Sequence, residues 1–100
     1  MEPVLMLFAI HAVDRDGALS ERLAHYDAHK AFLSDTSAFG VRIVMSGPLV
    51  SDDGQTMIGS LFLIEAEDRA AVERFHAADP FKKAGIWARV TITGFIRRQG

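Results

Sequence analysis

Apolar and polar positions follow one another along this chain in blocks with two different periods, and the periods predict the elements. Residues 4–10 form a short continuous apolar run with no capping residue before it, the pattern of a strand buried on both faces. Asp14-Arg15-Asp16-Gly17 then punctuates the chain as a turn. Leu19, Leu23, Tyr26 and Leu33 recur at helical spacing, with Glu21, Arg22, Asp27 and Lys30 around them. Gly40 stands where a C-terminal cap belongs, so the spacing predicts one long amphipathic helix over 18–39. Residues 41–45 read as a strand stopped by Ser46-Gly47-Pro48, since proline cannot donate to a ladder. Ser51-Asp52-Asp53-Gly54 has hairpin-loop chemistry, and 57–65 is the return strand with Gly59-Ser60 embedded in it. Asp68 is placed to cap a second helix that turns Val72 and Phe75 inward. This helix stops before Asp79-Pro80, because the residue preceding proline avoids the helical region. A turn over 81–85 leads to a last strand over 86–96.

The order β-α-β-β-α-β is the split βαβ pattern of a ferredoxin-like α+β fold, with a four-stranded antiparallel sheet and both helices on one face. Such a sheet should alternate apolar and polar residues if its other face meets water. The first and third strands do not: Leu5, Leu7 and Ala9 are as apolar as their neighbours, and Leu61 and Leu63 stand beside Phe62 and Ile64. A bare apolar face of that size predicts a symmetric homodimer, sheet face against sheet face.

Composition narrows the classes. An apolar fraction of 49% with 24% charged residues is that of one globular domain spanning 1–100. Eleven basic against thirteen acidic residues leave no basic stripe of the kind a nucleic-acid backbone requires. The absence of cysteine removes disulfides, thiolate nucleophiles and Cys-ligated zinc from consideration. Met1-Glu2-Pro3 lacks the basic start of a signal peptide, and the first apolar run is too short to span a bilayer. The expectation is a cytoplasmic protein with no membrane partner.

Four histidines are the natural acid–base candidates. His11 and His76 read as edge or surface residues. His25 and His29 lie four apart, as in the helical zinc pair, but that motif needs a glutamate directly after the first histidine and Tyr26 stands there; no metal is expected. His29 falls at the border of the apolar stripe, partly buried yet able to reach a pocket at the helix–sheet edge. Asp79-Pro80 is a helix-start signature that accounts for the aspartate without function. The same carboxylate also ends the preceding helix, where the dipole disfavours it unless a cation such as an imidazolium is near. Both readings stay open. Gly59-Ser60 and Ser46-Gly47-Pro48 leave room either for a small flat molecule or for plain helix–sheet packing.

Arg22-xxxxxx-His29 with Phe32-Leu33, Ser46-Gly47-Pro48, Gly59-Ser60, and Ala78-Asp79-Pro80-Phe81-xxx-Gly85 together resemble the YCII-related (YciI-like) family, a branch of the dimeric α+β barrel superfamily. The resemblance covers nearly the whole chain in order. It implies a pocket with a histidine–aspartate pair, carried here onto His29 and Asp79. Ser46, Gly47, Pro48, Gly59, Ser60, Pro80 and Phe81 are the substrate-binding candidates around that pair. Related members include a dehydrochlorinase of a chlorinated hydroxyquinol, and the superfamily includes muconolactone isomerases. The expected activity is a cofactor-free lyase or isomerase acting on a small cyclic or phenolic compound. The competing expectation is a non-catalytic dimeric module that holds a small ligand in the same pocket.

Overall fold

Four strands carry the fold: β1 (Met6–Asp14), β2 (Arg42–Val50), β3 (Met57–Ala66) and β4 (Trp87–Phe95). A computed structural model describes residues 4–100. The helices α1 (Leu19–Ala24) and α2 (Tyr26–Leu33) link β1 to β2, and α3 (Arg69–Ala78) and α4 (Pro80–Lys83) link β3 to β4. The sheet order is β2-β3-β1-β4 with every neighbouring pair antiparallel, which is the ferredoxin-like arrangement. Register fixes the two faces. Phe8, Ile10 and Ala12 share a face with Phe62 and Ile64, and there they meet Val72, Phe75 and Phe81 from the helices in one buried core. Leu7, Ala9, Leu61, Leu63 and Phe95 share the opposite face, which no helix among the described residues covers.

Three expectations are corrected. The single helix over 18–39 is instead two helices interrupted at His25 and ending at Leu33, followed by a 3₁₀ turn (Ser37–Phe39). The end at Leu33 has a local cause: the Ser34 hydroxyl bonds the Ala31 carbonyl, and the Asp35 carboxylate accepts from both the N–H and the hydroxyl of Ser37. These side chains compete with the helix ladder. Gly40 caps the 3₁₀ turn, at a φ of 66° that suits glycine. Second, the inward stripe of the first two helices starts out of phase: Tyr26 and Leu33 pack against the core as expected, but Leu19 and Leu23 are exposed, whereas Ala18, Arg22 and His29 are buried. Third, Ser46-Gly47-Pro48 does not end β2. Gly47 pairs with Leu61 and Pro48 with Ser60, and β2 is an edge strand, where a missing proline N–H costs the sheet nothing.

The remaining signals act locally as their chemistry dictates. The Asp68 side chain accepts from the Ala71 N–H at 2.9 Å and starts α3. Gly54, at a φ of 75°, closes the β2–β3 hairpin by donating to the Ser51 carbonyl. A Cβ at Gly59 would lie 2.4 Å from the Ala12 carbonyl oxygen, so only glycine fits where β3 passes that close to β1. No helix among the described residues is long and apolar enough to cross a membrane.

Candidate active site

α2 and the α3–α4 junction bring His29 and Asp79 together across fifty positions of sequence. His29 Nδ1 lies 2.8 Å from Asp79 Oδ1, and both side chains are buried. A carboxylate accepts, so Nδ1 carries a proton and donates, and in the neutral ring Nε2 keeps its lone pair. The same Oδ1 also accepts the Phe81 N–H at 2.9 Å as the N-cap of α4. The helix-start reading and the imidazole-partner reading therefore describe one oxygen atom. Phe81 stacks flat on the His29 ring, with centroids 4.0 Å apart and planes at 9°, while Phe62 and Trp87 approach it edge-on. The imidazole is thus fixed in both plane and tautomer.

His29 lines a cavity of about 200 Å³ between the first two helices and strands β2 and β3. Tyr26, Leu33 and Phe62 give it apolar walls, and Ser46, Gly47, Pro48 and Ser60 close it from the sheet. Three other candidates stand elsewhere. Gly59 sits against β1, Phe81 lies behind the His29 ring, and Pro80 opens α4; none of the three lines the cavity. Asp79 likewise touches the cavity only through His29. His25 is exposed at the helix break, apart from the buried His29, and the described residues contain no cluster of three metal-ligating side chains. His76 stacks on Trp87 with centroids 5.2 Å apart. Its pKa is lowered from the ordinary 6.5 by burial and then by the nearby Lys82 charge, with Asp79 opposing.

One residue of the site was misjudged from sequence. Arg22 is 1% exposed. Its Nε donates to Asp14 Oδ2 at 2.7 Å, and its Nη2 donates to Asp14 Oδ1 at 3.0 Å and to Ser60 Oγ at 2.7 Å. Its guanidinium carbon lies 4.7 Å from the Phe81 ring centroid. Polarity assigned it to the outer face of the helix. The usable signal was its distance of seven residues, two helical turns, from His29.

The arrangement can take a proton at Nε2 and stabilise the resulting imidazolium through Asp79. Several known proteins resemble this chain. The model of the YCII-related domain matches residues 6–96. Protein YciI of Escherichia coli O6:H1 (strain CFT073) is 30% identical over 95 residues, covering 90% of this chain and 96% of that protein. The structure of 5-chloro-2-hydroxyhydroquinone dehydrochlorinase (TftG) from Burkholderia phenoliruptrix AC1100, in complex with 2,5-dihydroxybenzoquinone, superposes with a TM-score of 0.78 at 35% identity. That match covers 95% of this chain and 96% of the other. Rv0793 from Mycobacterium tuberculosis, at 16% identity and a TM-score of 0.53 over 97% of this chain and 98% of its own, shares the fold alone. By its domain match and its relatives, the chain belongs to the YCII-related family.

Proposed function

We propose that this chain is a cofactor-free lyase or isomerase of the dehydrochlorinase or muconolactone-isomerase kind, acting on a small cyclic or phenolic compound. The observation that carries the reading is the buried 2.8 Å contact between His29 Nδ1 and Asp79 Oδ1 at the wall of a ring-sized cavity. Nε2 has no hydrogen-bond partner among the described residues, so it is free to meet a ligand's proton. A cavity of about 200 Å³ falls below the roughly 300–1,000 Å³ of drug-sized sites and suits a single ring. The dehydrochlorinase at 35% identity is a relative whose substrate is such a ring. In an elimination, the ring would lose a proton to Nε2 and chloride from carbon, the released electron pair becoming a new double bond. In an isomerisation, His29 would return the proton at another ring atom. A positioned base of this kind contributes about 10²–10⁴-fold, which favours substrates whose proton is already acidic.

Chloride release and absorbance changes across a panel of chlorinated and hydroxylated rings test the proposal, with His29→Ala as control. Turnover that depends on His29 is the expected result. Turnover that survives the substitution refutes the mechanism.

The same reading includes a homodimer formed through the uncovered sheet faces. Leu61 remains 39% exposed and Phe95 45% in the single chain, on a face that also carries Leu7, Ala9 and Leu63. Light scattering at low micromolar concentration should give twice the chain mass, and Leu61→Lys should give the monomer.

A further inference from the structure

Two buried side-chain polar atoms have no hydrogen-bond partner among the described residues, Asp79 Oδ2 and Trp87 Nε1. Asp79 is 1% exposed and Trp87 9%, so neither atom turns to bulk solvent. A buried carboxylate oxygen and a buried indole N–H are each costly unless something satisfies them. The two residues share three neighbours. His29 donates to Asp79 at 2.8 Å and meets the Trp87 ring edge-on, with centroids 6.4 Å apart. The Phe81 N–H donates to Asp79 at 2.9 Å, and the Phe81 ring meets Trp87 edge-on at 5.8 Å. The His76 carbonyl accepts the Asp79 N–H at 3.1 Å, and the His76 ring stacks on Trp87 at 5.2 Å. These neighbours confine both atoms to one region of the core, beside the His29 ring but outside its cavity, which neither residue lines. One atom only accepts and the other only donates.

We propose that one water molecule is bound between Trp87 Nε1 and Asp79 Oδ2, and that Trp87 acts through it as a positioning residue for the His29–Asp79 pair. The two atoms select a neutral molecule that accepts from the indole and donates to the carboxylate. A cation would face the indole hydrogen, and an anion would face the carboxylate. Two polar partners are enough to hold a buried water. The carboxylate then receives three donors, from His29 and Phe81 on Oδ1 and from the water on Oδ2. Bonds on both oxygens fix the rotation of the carboxylate, and with it the line along which it meets Nδ1. The water site stands on the two atoms alone, whereas the positioning role rests on His29 being the residue that transfers the proton.

Trp87 is the only tryptophan of the chain, which makes the test selective. In the wild type, which needs no variant, the single indole N–H resonance should show a through-space contact to a long-lived water and exchange slowly with solvent. A tryptophan auxotroph fed 3-benzothienylalanine replaces that N–H by sulfur and keeps the ring system. In this analogue the His29 Nδ1–H resonance should move downfield, because a carboxylate relieved of one donor accepts more strongly from the others. For any ring compound the chain turns over, kcat should fall about five- to ten-fold at unchanged KM, the worth of one hydrogen bond. An indole without a water contact, or a His29 resonance unmoved by the sulfur exchange, overturns the proposal whether or not the chain is an enzyme. A water contact and a moved resonance, with no ring ever turned over by the wild type, leave the water site standing and end the catalytic reading. His29-dependent turnover with equal kcat in the two proteins overturns the positioning role and leaves the catalytic reading intact.

Discussion

Two buried pairs of a carboxylate and a nitrogen base sit within one small domain, and they are built for opposite tasks. Asp14 meets Arg22 through two hydrogen bonds, with both of its oxygens used. Asp79 meets His29 through one oxygen, shared with a backbone N–H, and its Oδ2 has no partner among the described residues. A guanidinium never releases its proton at physiological pH, so the first pair can only hold charge and shape. An imidazole can both give up and take a proton at its ring nitrogens, so the second pair can move one. Phe81 touches both bases and keeps the two devices in one frame.

The comparison can be broken most sharply at the mobile pair. His29→Gln should lower turnover of an active ring compound by about 10²–10⁴-fold while leaving the melting transition little changed. Asp79→Asn should lose activity within the same range, because an amide no longer fixes the tautomer; imidazole ¹⁵N shifts should show Nδ1 protonated in the wild type and a mixture in the variant. At the fixed pair the order of effects reverses. Arg22→Met alone leaves the Asp14 carboxylate buried without its partner and should cost about 3–5 kcal/mol of stability by denaturant titration, far more than the Asp14→Leu/Arg22→Met double variant. Gly59→Ala, which forces a Cβ to 2.4 Å from the Ala12 carbonyl oxygen, should cost about 1–3 kcal/mol by overpacking without touching the cavity.

The smallest effect concerns pH. The folded-state pKa of His76 lies below its ordinary 6.5, so the unfolded chain takes up a proton first as the pH falls. The His76 contribution to stability is therefore present above about 6.5 and is lost as the pH falls through the lowered value. His76→Gln should flatten that part of the stability curve.

The architecture was legible because strand and helix periods, the Asp68 cap and the Ser51–Gly54 loop are local signals that tertiary packing did not contradict. His29 and Asp79 were legible as a pair through the family resemblance, while spacing alone left each with a structural explanation. The helix interior was not. Leu19 and Leu23 have the right period one step out of phase, and an arginine takes the inward position that hydropathy assigns to a leucine. What decides the phase is a partner eight residues upstream, the Asp14 carboxylate, and no periodicity records a side-chain ion pair. The end of α2 and the polar run from Ser34 to Ser37 likewise depend on side chains bonding the backbone rather than on hydrophobic period.

Deuterium exchange into a ring compound that the chain binds tests proton transfer by His29 without requiring the full reaction to be known. In D₂O, the wild type should speed exchange of an activated ring C–H and His29→Gln should not. Equal exchange by the two proteins, at matched occupancy of the cavity, would contradict the account.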